Sequence, residues 1–194
     1  MSTVFIDIDT QLDFLYPAGA IYVPKSERIV AAVARLNRSA ASTGIPVVST
    51  TDAHTEDDPE FKMWPPHCVA GTWGQRKPES TLLDNRVIVP NRPGLPDLSG
   101  AQQIIIEKQT VDAFQAPNFL RVLDHLGADR CVVYGVVTEI CVLHAVRGLL
   151  PTGRKVTVVS DAIETLKAED SAHALEEMCS AGAELASADS VERR

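Results

Sequence analysis

Cys141 is the residue whose surroundings most directly suggest chemistry. It lies three residues after Thr138, which follows an apolar run at 131–137 and can cap a helix. At that position the free backbone N–H groups and the positive end of the helix dipole favour a thiolate, the nucleophile that acyl transfer requires. The alternative is that Cys141 is a small buried hydrophobic residue, which is the interpretation we give to Cys131 and Cys179.

A thiol nucleophile needs a base, and two residues could supply one. Asp9 follows the first apolar run of the chain and could reach Cys141 if the two strand ends are neighbours. His144 lies three residues after Cys141 and therefore on the same face of a helix. Lys108 follows another apolar run and could accompany this group. The structural alternatives are a loop carboxylate for Asp9, a partly buried helix residue for His144 and a surface charge for Lys108.

Asp52, His54 and His67 form a pattern that metal sites use. The stretch between the two histidines also holds four carboxylates: Glu56, Asp57, Asp58 and Glu60. Two imidazoles with one or two carboxylates suit a borderline divalent ion and leave positions open for water or substrate. Zn²⁺ is the ion that we expect, with Fe²⁺ and Mn²⁺ as alternatives. The structural alternative is a solvated acidic loop without an ion.

Predicted strands and predicted helices alternate along the chain, and these elements must position the candidate residues. Short apolar runs predict buried strands near 4–8, 45–50, 104–106, 131–137 and 156–159. Apolar stripes, the caps Ser26 and Thr138 and the terminal glycines Gly44 and Gly127 predict helices near 27–43, 118–126, 138–150 and 169–181. Prolines punctuate residues 51–100, so this stretch is predicted to be mostly loop with one short strand near 87–89. The alternation predicts a three-layer αβα sandwich with a mostly parallel central sheet, formed by a single domain over residues 1–194.

Five of the candidate residues follow predicted strands. In a parallel α/β sheet, chemistry collects beyond the carboxyl ends of the strands. Asp9, Asp52 with His54, Lys108 and Cys141 come after four different strands, so they are expected to meet at one rim of the sheet. The sequence therefore predicts one site.

Composition limits the partners of this site. The chain has 194 residues and a net charge of −8, which argues against nucleic acids and anionic membrane surfaces. No apolar run approaches the roughly 20 residues of a membrane span. The first residues lack the basic region of a signal peptide, so we expect a cytoplasmic protein with reduced thiols. The expected partner is a small molecule. Whether the protein forms a homo-oligomer is left open by the sequence.

Several sequence blocks resemble the isochorismatase-like cysteine hydrolases. In order, they are Asp9-Thr10-Gln11-Leu12-Asp13-Phe14, Asp52-Ala53-His54, Trp64-Pro65-Pro66-His67-Cys68, Lys108 and Gly135-Val136-Val137-Thr138-Glu139-Ile140-Cys141. The first and last blocks are shared across this superfamily, whereas the second and third are similar to its nicotinamidase branch. The matched blocks lie between residues 5 and 145.

The resemblance implies a catalytic triad of Asp9, Lys108 and Cys141. Asp9 would take the thiol proton, and Lys108 would hold the Asp9 carboxylate ionised and oriented. The resemblance also implies a cis peptide between Val136 and Val137, with an oxyanion hole formed by the backbone N–H groups of Val137 and Cys141. The implied reaction is hydrolysis of nicotinamide to nicotinate and ammonia through a thioester. Another small amide, such as a carbamoyl or ureido compound, is the alternative substrate, and a silent binding protein is the alternative class.

The resemblance further implies how substrate and metal are held. Asp52, His54 and His67 match the residues that bind the ion in nicotinamidases, where the ion binds the pyridine nitrogen. Glu60 is the best-aligned fourth ligand, at a position where some members have histidine. The implied substrate-binding residues are Phe14, Trp64, Val136 and Val137, and both aromatic residues could otherwise be plain core.

Overall fold

A seven-stranded parallel sheet forms the centre of the molecule. The computed structural model describes residues 2–193, and all six strand pairings are parallel. The order across the sheet is β3-β4-β2-β1-β5-β6-β7. The strands are β1 (Ser2–Ile8), β2 (Val47–Asp52), β3 (Arg86–Val89), β4 (Gln103–Lys108), β5 (Ala128–Val136), β6 (Lys155–Glu164) and β7 (Glu184–Ala186). The predicted fold class is confirmed.

Six α-helices accompany the sheet in the described part of the chain. They are α1 (Leu12–Leu15), α2 (Val30–Ser42), α3 (Phe119–His125), α4 (Leu143–Leu149), α5 (Ala168–Ser180) and α6 (Ala188–Glu192). The three short elements α1, β7 and α6 were not predicted, since none is long enough to show a periodic pattern. Within residues 2–193, no helix combines the length and the apolar character that a membrane span needs.

Two helix starts differ from the prediction. Ser26 begins a 3₁₀ turn, Ser26–Ile29, and its hydroxyl donates to the Phe14 carbonyl at 2.8 Å instead of capping α2. Thr138 also caps no helix, because its hydroxyl donates to the Glu164 carbonyl at 2.8 Å. In both cases a tertiary partner takes the hydroxyl that local sequence assigns to a cap.

The site residues are brought together by the strand order. β1 lies between β2 and β5. After β1 the chain first forms β2, β3 and β4 on one side of it, and then β5, β6 and β7 on the other side. Such a switch point opens a crevice beyond the carboxyl ends of the strands. Asp52 and Lys108 pair directly in the register of β2 and β4. The end of β1, which carries Asp9, therefore lies between this pair and the Cys141 segment after β5.

Candidate active site

Lys108 lies at the centre of a buried polar cluster. Its Nζ is 2.8 Å from Oδ2 of Asp9, 2.5 Å from Oδ1 of Asp52 and 2.9 Å from the carbonyl oxygen of Thr110. Lys108 and Asp9 are each 1% exposed. Burial opposes the charge on Lys108, but the carboxylates of Asp52 and Asp9 outweigh it and raise the lysine pKa well above its usual range. Lys108 is therefore a permanent cation between two carboxylates.

Asp9 is held in an unusual backbone conformation. Its φ is 47°, in the left-handed region that residues other than glycine rarely adopt. The Thr50 hydroxyl donates to Oδ1 of Asp9 at 2.6 Å, and the Asp9 N–H donates to the Thr50 carbonyl at 3.2 Å. The Asp9 carboxylate also lies close enough to the Cys141 thiol for its charge to raise the thiol pKa. The three triad residues of the sequence prediction are thus brought together.

The expectation of an acidic thiol is wrong. Burial raises the pKa of Cys141 well above its usual range; Lys108 opposes this rise, whereas the carboxylates of Asp9 and Asp52 reinforce it. The local fold explains the difference, because residues Thr138–Val142 form a π-helical turn and α4 begins only at Leu143. Cys141 therefore rests as a thiol beside the Asp9 carboxylate, which can take its proton when a substrate is bound.

The backbone before Cys141 contains the implied cis peptide, between Val136 and Val137. The Val137 carbonyl accepts hydrogen bonds from the N–H groups of Ile140 and Val142, both at 3.1 Å. These bonds fold the turn tightly around Cys141 and occupy the N–H of Val142. The use of the Val137 and Cys141 N–H groups as an oxyanion hole stays a prediction.

Asp52, His54 and His67 form a second cluster at the same rim. One ligand atom from each residue lies within 4.8 Å of the other two, and all three residues are buried. Oδ2 of Asp52 is 3.9 Å from Nε2 of His54 and 3.9 Å from Nε2 of His67. Nε2 of His54 is buried without a hydrogen-bond partner in the described residues. A carboxylate oxygen and two imidazole nitrogens that converge at a buried site, one of them without a hydrogen-bond partner in the described part of the chain, fit a divalent metal ion.

The surroundings of the two histidines also suit metal binding. Oδ2 of Asp58 lies 3.0 Å from Nδ1 of His54, and the Pro65 carbonyl lies 2.8 Å from Nδ1 of His67. The carbonyl acceptor at Nδ1 of His67 favours the tautomer whose Nε2 lone pair is free for a ligand bond. Burial lowers the pKa of His67, which keeps the ring in the neutral form that binds metals. Asp58 was not singled out as the neighbour of His54, because four acidic residues in one loop look alike in sequence.

Glu60 lies near this cluster but outside its set of three ligand atoms. It lines the cavity beside Asp52, and burial followed by the Asp52 charge raises the pKa of its carboxyl group. The role of Glu60 as a fourth ligand stays a prediction.

One cavity joins the two clusters and encloses about 350 Å³ including its mouth. Cys141, Asp52 and His67 face it together with the predicted residues Phe14, Trp64 and Val137. Val136 was also predicted to contact substrate, but it does not line the cavity. Apolar side chains without a sequence signal complete the wall: Ile21, Val111, Ile140 and Leu166. The result is a narrow, mostly apolar slot whose wall includes a thiol and metal-type ligands.

His144, the alternative base, lies away from this slot. It does not line the cavity, and its electrostatic partner is Glu177 on α5. The position three residues after Cys141 is therefore on the outer side of the turn. Asp9 is the carboxylate that contacts the thiol.

Known proteins share both the sequence and the fold of this chain. It is 27% identical to the nicotinamidase of Escherichia coli (92% of this chain and 91% of that protein). It is 25% identical to an N-carbamoylsarcosine amidase of Arthrobacter sp (81% of this chain and 58% of that protein). The solved pyrazinamidase of Pyrococcus horikoshii in complex with zinc matches with a TM-score of 0.81 and 29% identity, over 96% of this chain and 99% of that one. The family model of the isochorismatase domain spans residues 3–190, and the chain belongs to the isochorismatase family.

Proposed function

We propose that the protein is a nicotinamidase, which hydrolyses nicotinamide to nicotinate and ammonia. At the coarser level, the family and its amidase members make the chain a hydrolase of amide C–N bonds. The observation that carries the finer proposal is the shared cavity. The Cys141 thiol and two of the metal-type ligands, Asp52 and His67, line the same slot, which is narrow and apolar enough for a flat ring.

The reaction begins with the thiol and Asp9. The Cys141 proton moves to the Asp9 carboxylate as the sulfur attacks the carboxamide carbon. Backbone N–H donors near Val137 receive the negative oxygen; removing one such donor costs about 2.7–4 kcal/mol at comparable sites. The C–N bond then breaks, Asp9 gives its proton to the departing nitrogen, and ammonia leaves a thioester on Cys141.

The second half of the reaction restores the thiol. Asp9 takes a proton from water as the water oxygen attacks the thioester carbon. The C–S bond breaks, the proton returns to sulfur, and the acid leaves. Lys108 keeps Asp9 oriented through both halves, because its 2.8 Å contact with the carboxylate is independent of the substrate.

Asp52, His54 and His67 would hold a divalent ion, with Glu60 beside them. When bound, the ion offers open coordination positions to a heteroaromatic nitrogen and to water. We propose Zn²⁺ as this ion, since the Pyrococcus horikoshii pyrazinamidase is a zinc complex. Phe14 and Trp64 would flank the ring of the substrate.

A panel of amides tests the proposal by release of ammonia from the purified protein. Benzamide is the matched control for nicotinamide, because it differs only by carbon in place of the ring nitrogen. We expect kcat/KM for nicotinamide to exceed that for benzamide by about 100-fold or more, because a site built for a polar substrate atom strongly rejects an analogue that lacks it. Equal kcat/KM values for the two amides would show that the ring nitrogen plays no part in recognition, and the nicotinamidase assignment would then be wrong.

A carbamoyl or ureido compound is the second candidate substrate. The similarity to an N-carbamoylsarcosine amidase favours its inclusion in the panel. Preference for N-carbamoylsarcosine over nicotinamide, unchanged after treatment with a chelator, would replace the nicotinamidase assignment by this one.

A further inference from the structure

A buried ion pair lies behind the candidate active site and has no role in the chemistry described above. Asp7 is in the central strand β1 and is 0% exposed; Lys77, near the end of the loop that carries the histidines, is 5% exposed. Nζ of Lys77 is 3.1 Å from Oδ2 of Asp7. Central strands of parallel sheets are usually apolar throughout, and a buried ion pair is seldom more stabilising than apolar residues of similar size. This pair therefore needs another explanation.

Thr10 connects this pair to the candidate base. The Thr10 hydroxyl donates to Oδ1 of Asp7 at 2.6 Å and accepts from Nζ of Lys77 at 2.6 Å. Thr10 directly follows Asp9, whose left-handed backbone turns the chain at the end of β1. Asp9 is thus fixed on one side by the hydroxyl of Thr50. On the other side it is fixed by its neighbour Thr10, which is hydrogen-bonded to the charged groups of Asp7 and Lys77.

The Asp7 carboxylate is also anchored from behind. Its Oδ2 accepts from Ser49 and from Asn37 of α2, both at 3.2 Å. Asn37 in turn accepts a hydrogen bond from the hydroxyl of Tyr134 at 2.5 Å. Ser49 and Tyr134 are the register neighbours of Asp7 on β2 and β5. The network therefore reaches from the strands next to β1 to the residue after Asp9.

The segment after Asp9 and the segment before Lys77 run antiparallel and are hydrogen-bonded to each other at several positions. The N–H of Leu12 donates to the Arg76 carbonyl at 2.8 Å, and the N–H of Asp13 donates to the Gly74 carbonyl at 3.1 Å. The Gln11 amide donates to the carbonyls of Asp52 and Gln75, both at 2.8 Å. The ion pair between Asp7 and Lys77 is the last contact of this series, at the point where the loop leaves the site.

We propose that Asp7, Thr10 and Lys77 are positioning residues, which hold the turn at Asp9 so that its carboxylate meets the Cys141 thiol. The inference rests on the proposed function for the role of Asp9 as the base. None of the three residues lines the substrate cavity, so they act through Asp9 and not on the substrate.

Thr10→Val tests the inference because it removes the connecting hydroxyl and leaves the 3.1 Å ion pair in place. The control is Tyr134→Phe, which breaks a buried bond of the same network at its far end. Two quantities are measured in a Cys179→Ser background: the pH profile of Cys141 alkylation by iodoacetamide, and kcat and KM on nicotinamide. Thermal unfolding of each variant is followed by circular dichroism, so that loss of fold is seen directly.

For Thr10→Val we expect a displaced alkylation profile and a kcat lowered by about 10- to 100-fold with little change in KM, the effect of a small misplacement of a catalytic group. Thr10→Ser should keep the wild-type values because it keeps the hydroxyl. Tyr134→Phe should lower the unfolding temperature and leave the alkylation profile in place. Thr10→Ala replaces Thr10→Val if the valine variant does not fold.

Three results would overturn the inference: a wild-type alkylation profile in folded Thr10→Val, the same displacement in Tyr134→Phe, or failure of both the valine and the alanine variant to fold. Alkylation requires no amide substrate, which separates the inference from the proposed function. If the wild-type protein does not hydrolyse nicotinamide but Thr10→Val still displaces the alkylation profile, the proposed function fails and the inference stands.

Discussion

Lys108→Met should destabilise the protein in a strongly pH-dependent way. The substitution keeps the length and apolar stem of the side chain and removes the ammonium group that contacts Asp9 at 2.8 Å and Asp52 at 2.5 Å. Removing one partner of a buried ion pair costs about 3–5 kcal/mol, because the remaining charge has no counterion. Two carboxylates lose the same counterion here, so we expect the free energy of unfolding at pH 7.5 to fall by about 5 kcal/mol, the upper end of that range.

The loss should shrink at low pH. Burial already raises the pKa of Asp52 in the presence of Lys108, and this rise becomes larger once the opposing cation is gone. A carboxyl group whose pKa is higher in the folded than in the unfolded state destabilises the fold above that range and ceases to do so when both states are protonated. The difference between Lys108→Met and wild type should therefore be largest near neutral pH and smallest near pH 4.

Urea unfolding followed by circular dichroism at pH 4.5 and pH 7.5 measures both quantities. The protein is treated with a chelator first, so that no ion compensates the charge of Asp52. Arg147→Met is the control, since it removes a surface ion pair with Glu177 and should change little at either pH. A loss below about 1 kcal/mol at pH 7.5, the size of a surface pair, would refute the account of Lys108 as the shared counterion. An equal loss at both pH values would do the same.

Three further predictions concern the thiol and the metal cluster. Cys141→Ala should abolish amide hydrolysis while circular dichroism and the unfolding temperature stay close to wild type; a tenth of the activity remaining would exclude Cys141 as the nucleophile. His54→Ala should lower bound metal, measured by elemental analysis, to well below one ion per chain, whereas His144→Ala, away from the cavity, should leave it unchanged. In a Cys179→Ser background, alkylation of free Cys141 should increase through the alkaline range, because burial and the neighbouring carboxylates raise the thiol pKa. Labelling that is already maximal near pH 6 would restore the acidic thiol that the sequence predicted.

The sequence predicted the longer elements well because their patterns are local. The apolar run at 131–137 lies largely within β5, and Gly44 and Gly127 adopt positive φ where helices were predicted to end. The two predicted caps failed for the opposite reason. Ser26 and Thr138 find hydrogen-bond partners far along the chain, which no local pattern reveals.

In the candidate site, too, local sequence patterns were predictable, whereas contacts between distant parts of the chain were not. Residue type and spacing offered the thiol, two possible bases and three metal-type ligands as candidates, and the family resemblance was needed to choose Asp9 and Lys108 as the triad partners. The apolar wall was not predictable, since Ile21, Val111 and Leu166 differ in nothing from core residues until the loops are folded. Asp7 was included in a buried apolar strand without a partner for its charge, and that partner, Lys77, lies seventy positions further along the chain.

The two halves of the site are joined at the neighbouring positions Asp52 and Lys108. One carboxylate oxygen of Asp52 faces the two histidines, and the other contacts the cation that also contacts Asp9. This arrangement follows from strand register, because Asp52 and Lys108 are paired residues of β2 and β4. A conservative change such as Asp52→Asn would remove a metal-type ligand charge and half of the charge that surrounds Lys108 at once. Metal binding and thiol chemistry therefore cannot be varied independently through Asp52, whereas neither His54 nor His67 is among the groups that contact Lys108.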